Sequence, residues 1–409
     1  MGPTLECVSC GSTFPERTAF LHCTKCGDGL QLVLDVRKVS YDSLASAWKG
    51  RDRGVWRYRE LLPVPYDRTV SLGEGGTALL PVSLLARDAP RTSVFVKNEG
   101  QNPTGSFKDR GMTVGVTEAV ALGRKRVICA STGNTAASLA AYAARARLEC
   151  VVLVPAGGVA QGKLAQAYFE GARVVGLRGS FDDAMNVVVD TADRLDAYVL
   201  NSINPYRIEG QKTGAFEVFE QLGGKVPEWL VCPVGNGGNL AAYWKGFEEL
   251  KALGATDRLP RLVGVQAEGA APIADAILEN RKEIRPVEKP ETVASAIRIG
   301  NPANWRKTVR AIRESAGLAL KLPDPVIVDV QKRLAREEGI FVEPASAASV
   351  AGALRLAREG TFRPQDTVVC VCTGHGLKDP EAALRERADV ATVEPTVKAI
   401  LAALGGVPR

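Results

Sequence analysis

Along the chain, short continuous apolar runs alternate with stretches compatible with helices. Val94–Val96, Val127–Cys129, Cys150–Val154, Val174–Leu177, Tyr198–Leu200, Trp229–Val234, Leu262–Val265 and Val368–Cys372 are strand-like. Runs of this kind, without a polar alternate position, predict parallel strands buried on both faces between helices. The prediction is therefore an α/β protein, long enough at 409 residues for two parallel-sheet units and a small appendage. Near the N-terminus the pattern differs. Leu30, Leu32, Leu34 and Val36 recur at every second position, as in a half-buried strand. The segment from Tyr41 to Pro65 is rich in Trp, Tyr and Arg, and Trp48, Trp56 and Tyr58 are expected to anchor it on a core. Ser71–Gly76 is expected to be a flexible turn with no chemistry of its own.

Composition narrows the class. With 45% hydrophobic and 24% charged residues the chain suits a folded, soluble protein. No apolar run reaches membrane-span length and no signal-peptide pattern opens the sequence, so a cytoplasmic protein without membrane contact is expected. The net charge of +6 is spread among acids, with only short dense spots at Arg51–Arg59 and Arg124–Arg126. That favours an anionic small molecule and makes no case for nucleic acid.

Nine cysteines fall into two groups. Cys129, Cys150, Cys232, Cys370 and Cys372 lie in or beside apolar runs and read as small buried hydrophobes. Cys7, Cys10, Cys23 and Cys26 form two CxxC pairs separated by twelve residues, each second cysteine followed by glycine. Four thiolates at that spacing can enclose one zinc ion tetrahedrally and leave no open position for catalysis. His22, beside Cys23, is read as a bystander.

Four turns carry the candidate chemistry. Residues 102–111 read NPTGSFKDRG, which delivers Lys108 from a turn into the start of a helix predicted over Met112–Leu122. A desolvated lysine there can lose its proton and bond to a carbonyl cofactor. Ser131-Thr132-Gly133-Asn134-Thr135, Gly235-Asn236-Gly237-Gly238-Asn239 and Thr373-Gly374-His375-Gly376 each follow a predicted strand and open toward a helix, where exposed N–H groups favour anions. No Walker-type lysine follows the second of these, which disfavours a nucleoside triphosphate. Together the four suit a cofactor with an aldehyde, a phosphate and a pyridine ring, held by Lys108, Gly235–Asn239 and Thr373 respectively. Ser131–Thr135 would take an amino-acid carboxylate. That cofactor is pyridoxal phosphate.

The decapeptide around Lys108, STGNTAAS, the Gly235 loop, EPASAA (343–348) and TGHGLKDP (373–380) resemble the threonine synthases of the fold type II pyridoxal-phosphate family, over about Trp56 to Pro380. A ribbon of four cysteines precedes some members of that family. The resemblance implies a tryptophan synthase β-like fold: a ribbon over 1–37, a large domain from 38–110 and 201–409, and a small mobile domain over 111–200. It implies a lyase that turns O-phospho-L-homoserine and water into L-threonine and phosphate by β,γ-replacement, working as a homodimer. By position Lys108 is its Schiff-base lysine, Asn134 meets the ring hydroxyl and Thr373 the pyridine nitrogen. Ser131, Thr132 and Thr135 match carboxylate contacts, and Asn201, Ser202, Arg207 and Asn236 match substrate-phosphate contacts. His375 is given a structural role, and Lys97, Glu99 and Asp109 none. The alternatives are a cysteate synthase using O-phosphoserine and sulfite, a serine/threonine dehydratase, and a zinc-ribbon binding protein with an α/β sensor.

Overall fold

A computed structural model describes residues 3–15, 21–156, 161–178, 181–379, 390 and 392–404. Pro380, the last residue of TGHGLKDP, lies outside them. Three short antiparallel strands come first: β1 (Thr4–Cys7), β2 (Thr13–Pro15) and β3 (Leu30–Val33), in the order β2-β1-β3. The alternation expected to run to Val36 stops at Val33, and Val36 begins a 3-10 turn over Val36–Lys38.

Two larger sheets follow. After β4 (Leu79–Pro81) and β5 (Ser93–Asn98), the strands β6 (Arg126–Ala130), β7 (Glu149–Pro155), β8 (Arg173–Leu177) and β9 (Ala197–Val199) form a parallel sheet ordered β8-β7-β6-β9. The chain then returns through β10 (Trp229–Pro233), β11 (Arg261–Ala267), β12 (Leu318–Leu322) and β13 (Thr367–Cys372). These join β5 and β4 in a six-stranded sheet, β12-β11-β10-β13-β5-β4, parallel except for β4.

Successive side chains on a strand point to opposite faces, and the core divides accordingly. Val231, Val263, Val368 and Cys370 pack on one side of the large sheet, and Leu230, Cys232, Leu262 and Val369 on the other. In the small sheet Val127, Cys129 and Val152 face one cluster, and Ile128, Val151 and Leu153 another. Each such buried side chain stabilises the fold by about 1.5–3 kcal/mol. Two-sided burial is why β6, β7, β10, β11 and β13 read as unbroken apolar runs, whereas the edge strand β8, expected to be buried on both faces, is largely exposed. β12 escapes the pattern because Lys321 interrupts it; at this sheet edge that amine pairs with Asp275 at 2.9 Å. The five cysteines beyond the ribbon are all buried free thiols.

The aromatic segment docks as expected. Trp48 is buried with its ring centroid 4.9 Å from that of Tyr58, and both pack on Phe216. The turn Ser71–Gly76 is a correction. Glu74 is buried and accepts hydrogen bonds from Leu72 N, Ser71 Oγ and Tyr142 Oη, while Gly76 N donates to Glu217. It is a tightly satisfied junction, because its one carboxylate, which also accepts from Trp56 Nε1 at 3.2 Å, collects donors from three separate parts of the chain.

The helix Lys108–Ala121 lies on the helix Pro205–Gln211 so closely that a Cβ at Gly210 would sit 1.7 Å from the carbonyl oxygen of Arg110. Only glycine permits that approach, and it brings Arg207 beside Lys108. Below, Arg110 is gripped by Glu99 at 2.6 Å and Glu217 at 2.7 Å, and Lys97 reaches Glu217 at 2.7 Å. No helix among the described residues is long and apolar enough to cross a membrane.

Candidate functional site

The carboxyl ends of β6, β10 and β13 and the start of the Lys108 helix border a single cavity of about 980 Å³. Strand ends in open α/β sheets are where ligands settle. Every cofactor or substrate residue expected from the sequence reaches it: Lys108, Thr373, the group Ser131, Thr132, Asn134 and Thr135, the group Asn201, Ser202 and Arg207, and the loop Gly235, Asn236, Gly237, Gly238 and Asn239.

Lys108 is the first residue of its helix and half-buried, with Nζ 4.4 Å from the centroid of the Phe107 ring. Burial, reinforced by the charge of Arg207, pulls its amine down to about 7, while Glu343 opposes this weakly. The helix N-terminus behind it acts in the same direction. An amine in that range is substantially neutral at pH 7 and able to attack a carbonyl. Arg207 is buried and donates from Nη1 to Leu200 O at 3.1 Å, while its Nε finds no hydrogen-bond acceptor among the described residues. Burial lowers its pKa to about 10. A buried donor without an acceptor favours a bound anion.

The loop Gly235–Asn239 runs into the helix Gly238–Ala252, whose first N–H groups are free of intrahelical partners. Gly237 takes a φ of 81°, and a Cβ there would come within 2.1 Å of Thr308 Oγ1. Behind the loop, Thr308 Oγ1 donates to Gly237 O at 3.0 Å and Asn304 N to Asn236 O at 3.0 Å. The loop is thus a fixed cradle of backbone with no side chain projecting from its centre. Asn239 Nδ2 is buried and has no acceptor among the described residues. An aldehyde-reactive amine and a phosphate-sized cradle on one cavity fit pyridoxal phosphate.

Sequence reasoning missed several contributors. Glu343, from the EPASAA stretch, is buried and accepts from Asn134 Nδ2 at 3.2 and 3.1 Å; burial raises its carboxyl to about 7. Ser346 Oγ lies 3.1 Å from Thr373 Oγ1 and accepts from Gly374 N at 2.8 Å. The motif itself was the available signal, but which loop it supports is set by the fold. Asn304 and Thr308 had no signal, being remote in sequence from the loop they hold. Asp109 binds Thr104 and Ser138 and is pushed up by burial to about 6. His375 accepts from Leu377 N through Nδ1 and caps a short turn, a structural place.

At the N-terminus, Cys7, Cys10, Cys23 and Cys26 bring their sulfur atoms within 4.8 Å of one another. Cys7 and Cys26 are 3.4 Å apart, and Cys10 and Cys23 3.6 Å. Four sulfur ligands converging in this way suit one tetrahedral ion.

A family model for pyridoxal-phosphate dependent enzymes matches residues 70–374. A threonine synthase of Methanocaldococcus jannaschii is 50% identical over 390 residues, covering 95% of this chain and 96% of that protein. One from Synechocystis is 48% identical over 368 residues, covering 89% and 92%. Maize serine racemase, only 20% identical, superposes with a TM-score of 0.63 over 73% of this chain and 88% of its own, a likeness of fold alone. The cavity, its lysine and cradle, and half the sequence held in common from end to end lead to one placement: the chain belongs to the pyridoxal-phosphate dependent enzymes, among their threonine synthases.

Proposed function

We propose that the chain converts O-phospho-L-homoserine and water to L-threonine and phosphate in this cavity. The observation that carries the reading is Lys108, an amine near neutrality without a carboxylate in bonding contact among the described residues, on the same cavity as the Gly235–Asn239 cradle. When bound, pyridoxal phosphate supplies the electron sink that acidifies first Cα and then Cβ of the amino acid, so that phosphate can leave Cγ and water can add at Cβ.

The residues divide the remaining work. Lys108 would hold the aldehyde carbon and afterwards carry protons; a pKa of about 7 lets it take and return one at neutral pH. Gly235–Asn239 would hold the cofactor phosphate on backbone N–H groups. Thr373, steadied by Ser346, would meet the ring nitrogen with a neutral hydroxyl. Asn134, with its amide on Glu343, has its carbonyl oxygen left to accept from the ring hydroxyl. Ser131, Thr132 and Thr135 would bind the substrate carboxylate, and Asn201, Ser202, Arg207 and Asn236 its phosphate, where a guanidinium fork matches the oxygens.

The four-cysteine cluster would hold a structural zinc ion. Residues 111–200 are read as the unit that closes over substrate, carrying the Ser131–Thr135 loop toward Lys108. A cytoplasmic homodimer completes the reading; sedimentation of the purified protein tests the assembly. Supplying O-phosphohomoserine tests the activity. Threonine and phosphate should appear in equal amounts. Absence of both, or turnover of O-phosphoserine with sulfite in their place, overturns it.

A further inference from the structure

The cysteine ribbon does not sit apart from the cavity. Its residues His22, Gly27 and Asp28 border the same space as Lys108, although none of the four cysteines does. Its apolar core is continuous with the enzyme: Leu5, Cys7, Cys23 and Leu30 cluster with Val114 of the Lys108 helix and Tyr206 of the neighbouring helix.

Two further ties run from the ribbon to the helix Trp305–Glu314. Asp28, two residues beyond Cys26, receives Arg306 Nε at 2.5 Å, and the carbonyl of Leu30 accepts from Lys307 Nζ at 2.8 Å. The same end of that helix grips the phosphate cradle through Asn304 and Thr308, and Asn304 Nδ2 also donates to Ser202 O at 2.9 Å. One helical turn therefore has the ribbon on one side and the phosphate-facing loops on the other.

We infer that Arg306 and Lys307 are positioning residues, and that the metal-closed ribbon fixes, through them, the turn that holds Asn236 and Gly237 in place for phosphate. Without the metal, two CxxC turns lose their shared cross-link, and Asp28 and Leu30 O lose their fixed positions. The helix start is then free to shift, and the cradle loses its preorganisation. This rests on the reading that pyridoxal phosphate binds at Gly235–Asn239.

The test compares wild type, a Cys10→Ser/Cys26→Ser variant and an Arg306→Gln/Lys307→Met variant, each stripped of pyridoxal phosphate and titrated with it by absorbance, with zinc content and circular dichroism measured in parallel. The cysteine variant should lose zinc and weaken cofactor binding by about tenfold. The helix variant should keep its zinc and lose affinity by about threefold or more, because one of its two ties is a half-exposed ion pair. In the helix variant KM for O-phosphohomoserine should rise more than kcat falls, and Arg306→Lys alone should keep wild-type binding. A folded, zinc-free variant that binds pyridoxal phosphate as tightly as wild type overturns the inference. Should the cysteine variant not fold, unchanged affinity in the helix variant overturns it equally. Wild type that takes up no pyridoxal phosphate would instead refute the functional reading.

Discussion

Lys108 and Arg110 stand two residues apart on one helix, the first half-buried and the second fully buried, and their surroundings treat charge in opposite ways. Around Arg110, Glu99 and Glu217 supply carboxylates at 2.6–2.7 Å, and both acids stay ionised because Arg110 and Lys97 outweigh the burial that would raise them. Around Lys108 no carboxylate among the described residues makes a hydrogen bond, Arg207 adds a like charge, and the amine falls to about 7. Burial alone does not make a reactive group. A buried cation with partners becomes a girder, and one without them becomes a nucleophile.

The sharpest way to break this contrast is to truncate each residue. Lys108→Ala should reduce threonine formation by more than about a thousandfold. It should raise the unfolding free energy at pH 7, because the fold depresses that amine's pKa and so penalises its charge, and the gain should shrink as pH rises toward 10.5. Arg110→Met should do the reverse to the fold. Two buried carboxylates lose their main partner, and denaturant unfolding should show a loss of about 3–5 kcal/mol. A marginal loss would mean that the network is solvated.

Glu343 extends the comparison to acids. Its folded pKa, about 7, lies above the ordinary value of 4.5, so the folded state keeps a proton that the unfolded state has released. Its contribution to stability is complete below pH 4.5 and is lost as pH rises through about 7. Glu343→Gln should remove this decline, by about 3 kcal/mol between those limits, in paired melts across pH. The smallest effect is expected at Ser346→Ala, which removes the hydroxyl beside Thr373 and the acceptor of Gly374 N. Cofactor affinity should fall about fivefold, the worth of one neutral hydrogen bond.

Much of the fold could be read from the chain because parallel strands covered on both faces leave unbroken runs such as Trp229–Val234. The edges of the large sheet could not: β4 is three residues long, and β12 carries a lysine. The loops of the site were legible because glycine, asparagine and hydroxyl residues follow strands for reasons of turn geometry and anion binding. Their supports were not. Glu343 meets Asn134 across 209 positions and Thr308 meets Gly237 across 71, and no local pattern encodes such pairs. The Lys97, Glu99, Arg110 and Glu217 network was equally hidden, since charged residues in sequence look like surface.

The central claim is that Lys108 is held near neutrality by its surroundings, and it can be measured directly. The rate of covalent capture of pyridoxal phosphate by the cofactor-free protein, followed by absorbance against pH, reports the titration of the attacking amine. The structure predicts a midpoint of about 7. A midpoint near 10.5, that of an ordinary lysine, would contradict it.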